Sequence, residues 1–173
     1  RRRGWVADLR GMEAPVNVVG SRGVAGAAPT VPWRSVALPV EHGAWSFLLE
    51  PVILGLVLAP TSSGLCLALA ALTAFLTRHP LRLVVMDRRK GARYLRTALA
   101  ERFALGYACI AFASAMAAFA LASGPFILPI LLAAPLALGA LALDLTARGR
   151  ELVGELAGSV ALGASATAIV LAG

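Results

Sequence analysis

The sequence predicts an all-α fold, a polytopic transmembrane helical bundle of about five spans, on three observations. Apolar residues make up 59% of the 173-residue chain, and the mean hydropathy of +0.80 is far above that of a soluble domain. The apolar residues fall into alanine- and leucine-rich runs close to the ~20 residues that cross a bilayer as a helix. Basic residues lie before the first run and between alternate runs thereafter.

The chain before the first span differs from the rest. Residues 1–36 are rich in Arg, Gly, Ala and Pro and show no helical period. We therefore predict a disordered basic tail over residues 1–36, followed by a transmembrane helical domain over residues 37–173.

Five apolar runs are candidate spans. They cover residues 44–59, 65–77, 103–122, 126–143 and 156–172. The second run is the shortest, and it reaches spanning length only if Ser62, Ser63 and the stem of Arg78 are included. Beyond it, Pro80 and Gly91 bracket residues 81–90, which we expect to lie along the membrane as a separate amphipathic helix.

The charge distribution predicts the orientation of the bundle. Six arginines precede the first span, eight basic residues lie between the second and third, and two lie between the fourth and fifth, whereas the other connections carry no charge. The positive-inside rule then predicts that the N-terminus and both basic connections are cytoplasmic. Because topology accounts for the net charge of +7, no nucleic-acid partner is predicted. The predicted partners are the lipid bilayer and an anionic lipid or diphosphate ligand.

The first polar motif is "PVEHGAWSFLLEP", residues 39–51. Glu41 and His42 lie at the cytoplasmic mouth of the first span, where they either form an ordinary interfacial helix start or contribute to a site. Glu50 lies about two turns further in, where an ionised carboxylate costs at least ~2.5 kcal/mol. We expect Glu50 to face the bundle or a water-filled cavity, either beside a polar pocket opened by a kink at Pro51 or as a neutral group bonded to a neighbouring helix.

The second motif is the basic loop "RHPLRLVVMDRRKGARYLRT", residues 78–97. Its arginines include Arg78, Arg82, Arg88 and Arg89, and Asp87 is its one acid. Such a loop attracts lipid phosphate, a diphosphate or an acidic partner. The alternative is that it only sets the topology, as basic cytoplasmic loops do.

The third motif covers residues 144–164. On a continuous helix, Asp144, Arg148, Glu151 and Glu155 share one face, since they are spaced by four, three and four residues. We expect them either to bind a cation or a phosphate, or to form ion pairs, Asp144 with Arg148 and Glu151 or Glu155 with the basic loop. Because all three motifs lie on the predicted cytoplasmic side, we expect them to form one shared site.

Together the motifs "PVEHGAWSFLLEP", "RHPLRLVVMDRRKGARYLRT" and "GRELVGELAG" resemble the YwiC-like membrane proteins. The resemblance covers residues 39–173. It implies a multi-pass protein of the bacterial cytoplasmic (inner) membrane but implies no reaction or substrate. Members of that family are longer, with further spans, so the resemblance also predicts that this chain is truncated at its C-terminus.

A looser similarity links the chain to the UbiA-type intramembrane prenyltransferases. In those enzymes, acids of a cytoplasmic loop hold Mg²⁺ against a prenyl diphosphate, which makes Asp87 and Glu155 weak candidate metal ligands here. Those enzymes have two aspartate-rich motifs, whereas Asp87 stands alone in its loop. The similarity therefore favours a shared fold over shared chemistry.

The sequence thus predicts a YwiC-like membrane protein with a polar, basic site on its cytoplasmic face. The predicted binding residues are Glu41, His42, Arg78, Arg82, Asp87, Arg88, Arg89, Arg148, Glu151 and Glu155. Two alternatives stay open: a prenyltransferase acting with Mg²⁺, for which Glu50, His42 and Glu155 are the candidate catalytic residues, and a proton- or cation-coupled transporter that uses Glu50.

Overall fold

The computed structural model describes residues 32–39, 42–91, 94–146 and 152–173, and its helices confirm the all-α class. Within these ranges the chain forms six helices and no strand. They are α1 (Trp33–Ala37), α2 (His42–Leu58), α3 (Ser62–Arg89), α4 (Leu95–Leu121), α5 (Ile127–Leu145) and α6 (Leu152–Leu171).

Four of these helices are long and apolar enough to cross a membrane, namely Ser62–Arg89, Leu95–Leu121, Ile127–Leu145 and Val153–Leu171. The first predicted span corresponds to a shorter apolar helix, Trp45–Leu58 within α2. This arrangement confirms a multi-pass helical membrane bundle. The four long spans and the shorter helix match the five apolar runs of the sequence.

Helix α3 is central to the bundle. It packs on α2, α4, α5 and α6, and α6 also packs on α2 and α5. At one end of the bundle, Ser63 Oγ donates a hydrogen bond to the carbonyl of Ala172 (2.9 Å), and Ser123 Oγ donates to that of Gly173 (2.9 Å). The short connections 59–61 and 122–126 carry no charge, so we name this the uncharged end and its opposite, where α3 ends and α4 begins, the basic end.

The apolar core lies between α2, α3 and α6. Leu48 of α2 and Ile169 of α6 are fully buried in it. At Gly55 of α2 the two helices approach so closely that an added Cβ would lie 2.9 Å from the Cβ of Ile169. Small residues permit this close packing, which is how helices associate in a bilayer.

The short helix α1 packs at the basic end. Val36 is buried against Val84 of α3 and Ala100 of α4, and His79 Nε2 lies 3.1 Å from the carbonyl oxygen of Ser35. Most of the predicted tail, residues 1–31, lies outside the described residues. Its last residues, 33–36, are helical rather than disordered, because burying Val36 gives them a tertiary contact.

The predicted separate helix over residues 81–90 is wrong. Helix α3 continues through Pro80 to Arg89, and Gly91 then turns the chain in the left-handed region (φ 66°). An interior proline removes one backbone hydrogen bond, but Pro80 is buried against the bundle, and Val84 and Asp87 beyond it are buried as well. The packing of this part of α3 on α4 therefore outweighs the tendency of Pro80 to end the helix.

The face expected on a continuous helix over residues 144–155 falls partly on residues 147–151, which lie outside the described residues. Helix α5 ends at Leu145, and the N–H of Thr146 bonds back to the carbonyls of Ala142 and Leu143 at 3.1 and 3.2 Å. The described residues of helix α6 are Leu152–Leu171. Asp144 lies in α5 and Glu155 in α6.

Candidate anion site at the basic end

All lysine and arginine residues that the structure describes lie at the basic end of the bundle. They are Arg34, Arg78, Arg82, Arg88, Arg89, Lys90, Arg96 and Arg102. The described helices thus place their positive charge on one side, as the sequence predicts. Which side faces the cytoplasm stays a prediction from the positive-inside rule.

The first charged cluster joins α3 to α5. Asp144 is only 5% exposed, and Arg78 Nε donates a hydrogen bond to its Oδ2 at 2.8 Å. Arg82 lies one helical turn further along α3, and its Nη1 is 3.7 Å from Asp144 Oδ1. Spacing by four residues puts both arginines on one face of α3, so they flank the same carboxylate.

A third arginine completes this cluster. Arg89 Nη1 donates a hydrogen bond to the carbonyl of Leu145 at 2.9 Å, at the C-terminal end of α5 where the helix dipole favours cations. We name Arg78, Arg82, Arg89 and Asp144 the Asp144 cluster. Among the described residues, it holds three guanidinium groups and one carboxylate.

The second charged cluster joins α3 to the start of α4. Asp87 is fully buried, and Arg96 binds both of its oxygens, Nη2 to Oδ1 at 2.8 Å and Nε to Oδ2 at 3.2 Å. Thr97 Oγ1 donates a further hydrogen bond to Oδ2 at 2.8 Å. Thr97 Oγ1 also accepts one from the backbone N–H of Tyr94 at 3.1 Å, so the aspartate fixes the turn between the two helices.

The two clusters lie on opposite faces of α3. Asp87 is nine residues beyond Arg78, about two and a half turns, so its side chain leaves the helix on the other side. Arg88 forms a separate ion pair with Glu101 of α4 at 2.8 Å, with 70% of the Arg88 side chain exposed. The single site shared by the three motifs stays a prediction, but Asp87 and Arg88 lie apart from the other predicted arginines of α3. Arg78, Arg82 and Arg89 gather around Asp144 instead.

Glu50 lies on the exposed face of α2. Leu48, Val52 and Gly55 form the buried face of that helix, and Glu50 is about half a turn away from them. The expectation that Glu50 faces the bundle is therefore wrong. The side chain of Glu155 is likewise exposed, near the start of α6.

Four further predicted site residues have no described side chain. Glu41, Arg148 and Glu151 lie outside the described residues, and His42 is described only as the first residue of α2. The predicted ion pair of Asp144 with Arg148 falls partly outside the described residues. Within them, Asp144 pairs with α3.

The predicted Mg²⁺ site does not fit the described side chains. Among the described residues, no three or more His, Cys, Asp or Glu side chains gather as metal ligands do. Both oxygens of Asp87 accept hydrogen bonds from Arg96 and Thr97. A divalent cation there would have to displace a guanidinium group.

An apolar cleft lies deeper in the bundle, between α4 and α5, which do not pack on each other. Its volume is about 500 Å³, and eleven of its sixteen lining residues are alanines. Because these side chains are short, they leave open space where larger ones would fill it. Representative lining residues are Ala70 and Ala74 of α3, Ala115 of α4, Ala134 and Ala137 of α5, and Ala164 of α6. We name this space the alanine cleft.

Three residues of the two clusters were absent from the predicted site. Asp144 was expected to pair within its own helix, and Arg96 and Thr97 appeared only as part of a basic loop. A local signal existed for Thr97, because the residues at 94–97 resemble the start of a helix with a hydroxyl at its third position. The contact between α3 and α5 had no such signal, since it joins residues 66 positions apart.

A comparison with protein families gives one finding. The family model described as "YwiC-like protein" matches residues 38–170, about three quarters of the chain. No curated protein and no solved structure matches the chain. The looser similarity to UbiA-type prenyltransferases has no support among these comparisons.

Proposed function

The chain belongs to the YwiC-like family, and we propose that it is a multi-pass membrane protein that binds a phosphate-bearing anion at the Asp144 cluster, on its cytoplasmic face. The observation that carries this proposal is that three arginines of α3 meet at one place, the C-terminal end of α5. Arg78, Arg82 and Arg89 converge on a single carboxylate and one helix end.

The chemistry of arginine supports a phosphate ligand. A guanidinium group presents several N–H donors in a planar fork that matches phosphate oxygens, and it stays charged at all physiological pH values. The side chains of Arg78 and Arg82 are 40% and 34% exposed, so they are reachable from solvent yet partly shielded. Partial shielding strengthens charge attraction, from ~1 kcal/mol at 4 Å in water to ~4 kcal/mol near a protein surface.

Among the described residues, Arg82 has donors that remain available to a ligand. Its Nη1 lies 3.7 Å from Asp144, which is an ion pair but too long for a hydrogen bond. Its Nε is buried and has no hydrogen-bond partner among the described residues. A buried donor without an acceptor costs ~1–3 kcal/mol, so a phosphate oxygen that reaches it recovers this energy.

The transporter alternative stays a prediction. It rests on Glu50 as a proton or cation site, and Glu50 lies on the exposed face of α2 rather than in the alanine cleft. No specific observation favours it over anion binding.

The test measures thermal unfolding of the purified chain in a neutral detergent, with increasing pyrophosphate or phosphatidylglycerol. A ligand that binds only the folded state at 100 times its Kd stabilises it by ~2.7 kcal/mol. We expect at least one of these anions to raise the Tm of the wild type more than an equal ionic strength of chloride does. We expect Arg82→Gln to lose most of that shift.

Arg102→Gln is the matched control. Arg102 is an exposed arginine of α4 outside both clusters, and its loss changes the net charge equally. Equal loss of the shift in both variants, or no shift with either anion in the wild type, would refute the proposed site.

A further inference from the structure

We infer that the anion is the headgroup of a membrane lipid whose apolar chain lies in the alanine cleft. This inference rests on the proposed function and adds the class of ligand. Two observations beyond the charge of the arginines support it: the apolar lining of the cleft and its position next to the Asp144 cluster along α3 and α5.

The cleft and the cluster are continuous along two helices. On α3, Ala74 lines the cleft and Arg78 follows one turn later on the same face. On α5, Ala137 lines the cleft and Asp144 follows seven residues later, about two turns. At 1.5 Å per residue, the polar groups begin ~6 Å beyond the cleft on α3 and ~10 Å beyond it on α5. A molecule that occupies both must therefore be apolar at one end and anionic at the other.

The lining of the cleft excludes a polar occupant. Ser165 is its one polar lining residue, and its hydroxyl already donates a hydrogen bond to the carbonyl of Leu162 at 2.6 Å. A polar group that entered would lose its bonds to water without gaining new ones. An alkyl or isoprenoid chain has no such requirement.

The size and location of the cleft favour a chain from the bilayer over another helix. Its volume of about 500 Å³ is within the ~300–1,000 Å³ range of small-molecule pockets. A transmembrane helix ~10 Å across and ~30 Å long occupies more than ~2,000 Å³. Because α4 and α5 do not pack on each other, the cleft is open between two spans, where lipid chains are the surrounding solvent.

The test measures lipid retention by native mass spectrometry. Wild-type protein in neutral detergent is mixed with phosphatidylglycerol or with phosphatidylcholine of the same acyl chains, and with glycerol phosphate as a headgroup without chains. Ala115→Phe fills the cleft from α4. Ala113→Phe is the matched control, because Ala113 is exposed on the same helix and does not line the cleft.

We expect the wild type and Ala113→Phe to retain phosphatidylglycerol in preference to phosphatidylcholine. We expect Ala115→Phe and Arg82→Gln each to weaken this retention by ~10-fold or more, which equals ~1.4 kcal/mol. Circular dichroism on each variant shows whether it is folded, and Ala115→Leu replaces Ala115→Phe if the larger ring prevents folding.

The remaining outcomes separate the two proposals. If Ala115→Phe retains phosphatidylglycerol as the wild type does, or if glycerol phosphate binds as tightly as the lipid, the cleft inference is overturned and the proposed anion site stands. If neither the lipid nor the free headgroup binds in preference to phosphatidylcholine, both are overturned.

Discussion

Asp87→Asn is the substitution that most sharply tests how the basic end is held together. Asparagine keeps the shape of the side chain but replaces one acceptor oxygen with an N–H₂ donor and removes the charge. Asp87 is fully buried, and three hydrogen bonds from Arg96 and Thr97 end on its two oxygens. The N–H₂ group of the asparagine would face an N–H or O–H donor of Arg96 or Thr97, so that hydrogen bond would be lost.

The expected loss follows from the burial of each partner. Removing one member of a buried ion pair costs ~3–5 kcal/mol when its partner is left without water. The Arg96 side chain is 43% exposed and regains water, so the loss is smaller. Each hydrogen bond to a charged group contributes ~1.5–3 kcal/mol, and relief from burying the carboxylate offsets part of that. We expect Asp87→Asn to lower the free energy of unfolding by ~2 kcal/mol.

The assay is reversible unfolding in mixed detergent and lipid micelles, followed by circular dichroism. Arg88→Gln is the control, since Arg88 pairs with Glu101 at the same end but its side chain is 70% exposed. Exposed pairs of this kind contribute ~0–1 kcal/mol. Equal losses of unfolding free energy for Asp87→Asn and Arg88→Gln would refute the claim that burial makes the Asp87 ion pair contribute more to stability than an exposed pair.

Two other predictions follow from packing and position. Gly55→Val puts a branched side chain where a Cβ already lies 2.9 Å from Ile169, so we expect a loss of ~1–3 kcal/mol in the same unfolding assay. Gly106→Val is its control, because nothing lies within 4 Å of an added Cβ there, and an equal loss would contradict the close approach of α2 to α6. Glu50→Gln is expected to leave the affinity for phosphatidylglycerol within ~2-fold, because α2 does not pack on α5. A loss of binding, measured by titration in detergent, would place Glu50 in the site.

The membrane bundle could be predicted from the sequence because it depends on composition and on runs of apolar residues. Spanning length and charge bias act on each segment separately, so neither needs knowledge of tertiary contacts. The same local reasoning failed at Pro80. The helix-breaking tendency of Pro80 competes there with the burial of Val84 and Asp87 against α4. That burial depends on tertiary contacts, which the local sequence does not indicate.

The candidate site was predicted only in part for a related reason. The density of arginines in one loop indicates Arg78, Arg82 and Arg89, but it does not indicate Asp144, the partner of Arg78 and Arg82. Asp144 is far away in sequence, and local spacing pointed to Arg148 instead. Which carboxylate pairs with which arginine depends on how α3 packs on α5. Ion pairs between helices therefore cannot be predicted from residue spacing along the sequence alone.

The affinity of the wild type and of Arg82→Gln for phosphatidylglycerol is the most direct test of the proposed site. Binding would be measured by titration in neutral detergent, with Arg102→Gln as the variant of equal charge. We predict that Arg82→Gln weakens binding by ~10-fold or more while Arg102→Gln stays close to the wild type. Equal affinities for all three proteins would contradict an anion site at the Asp144 cluster.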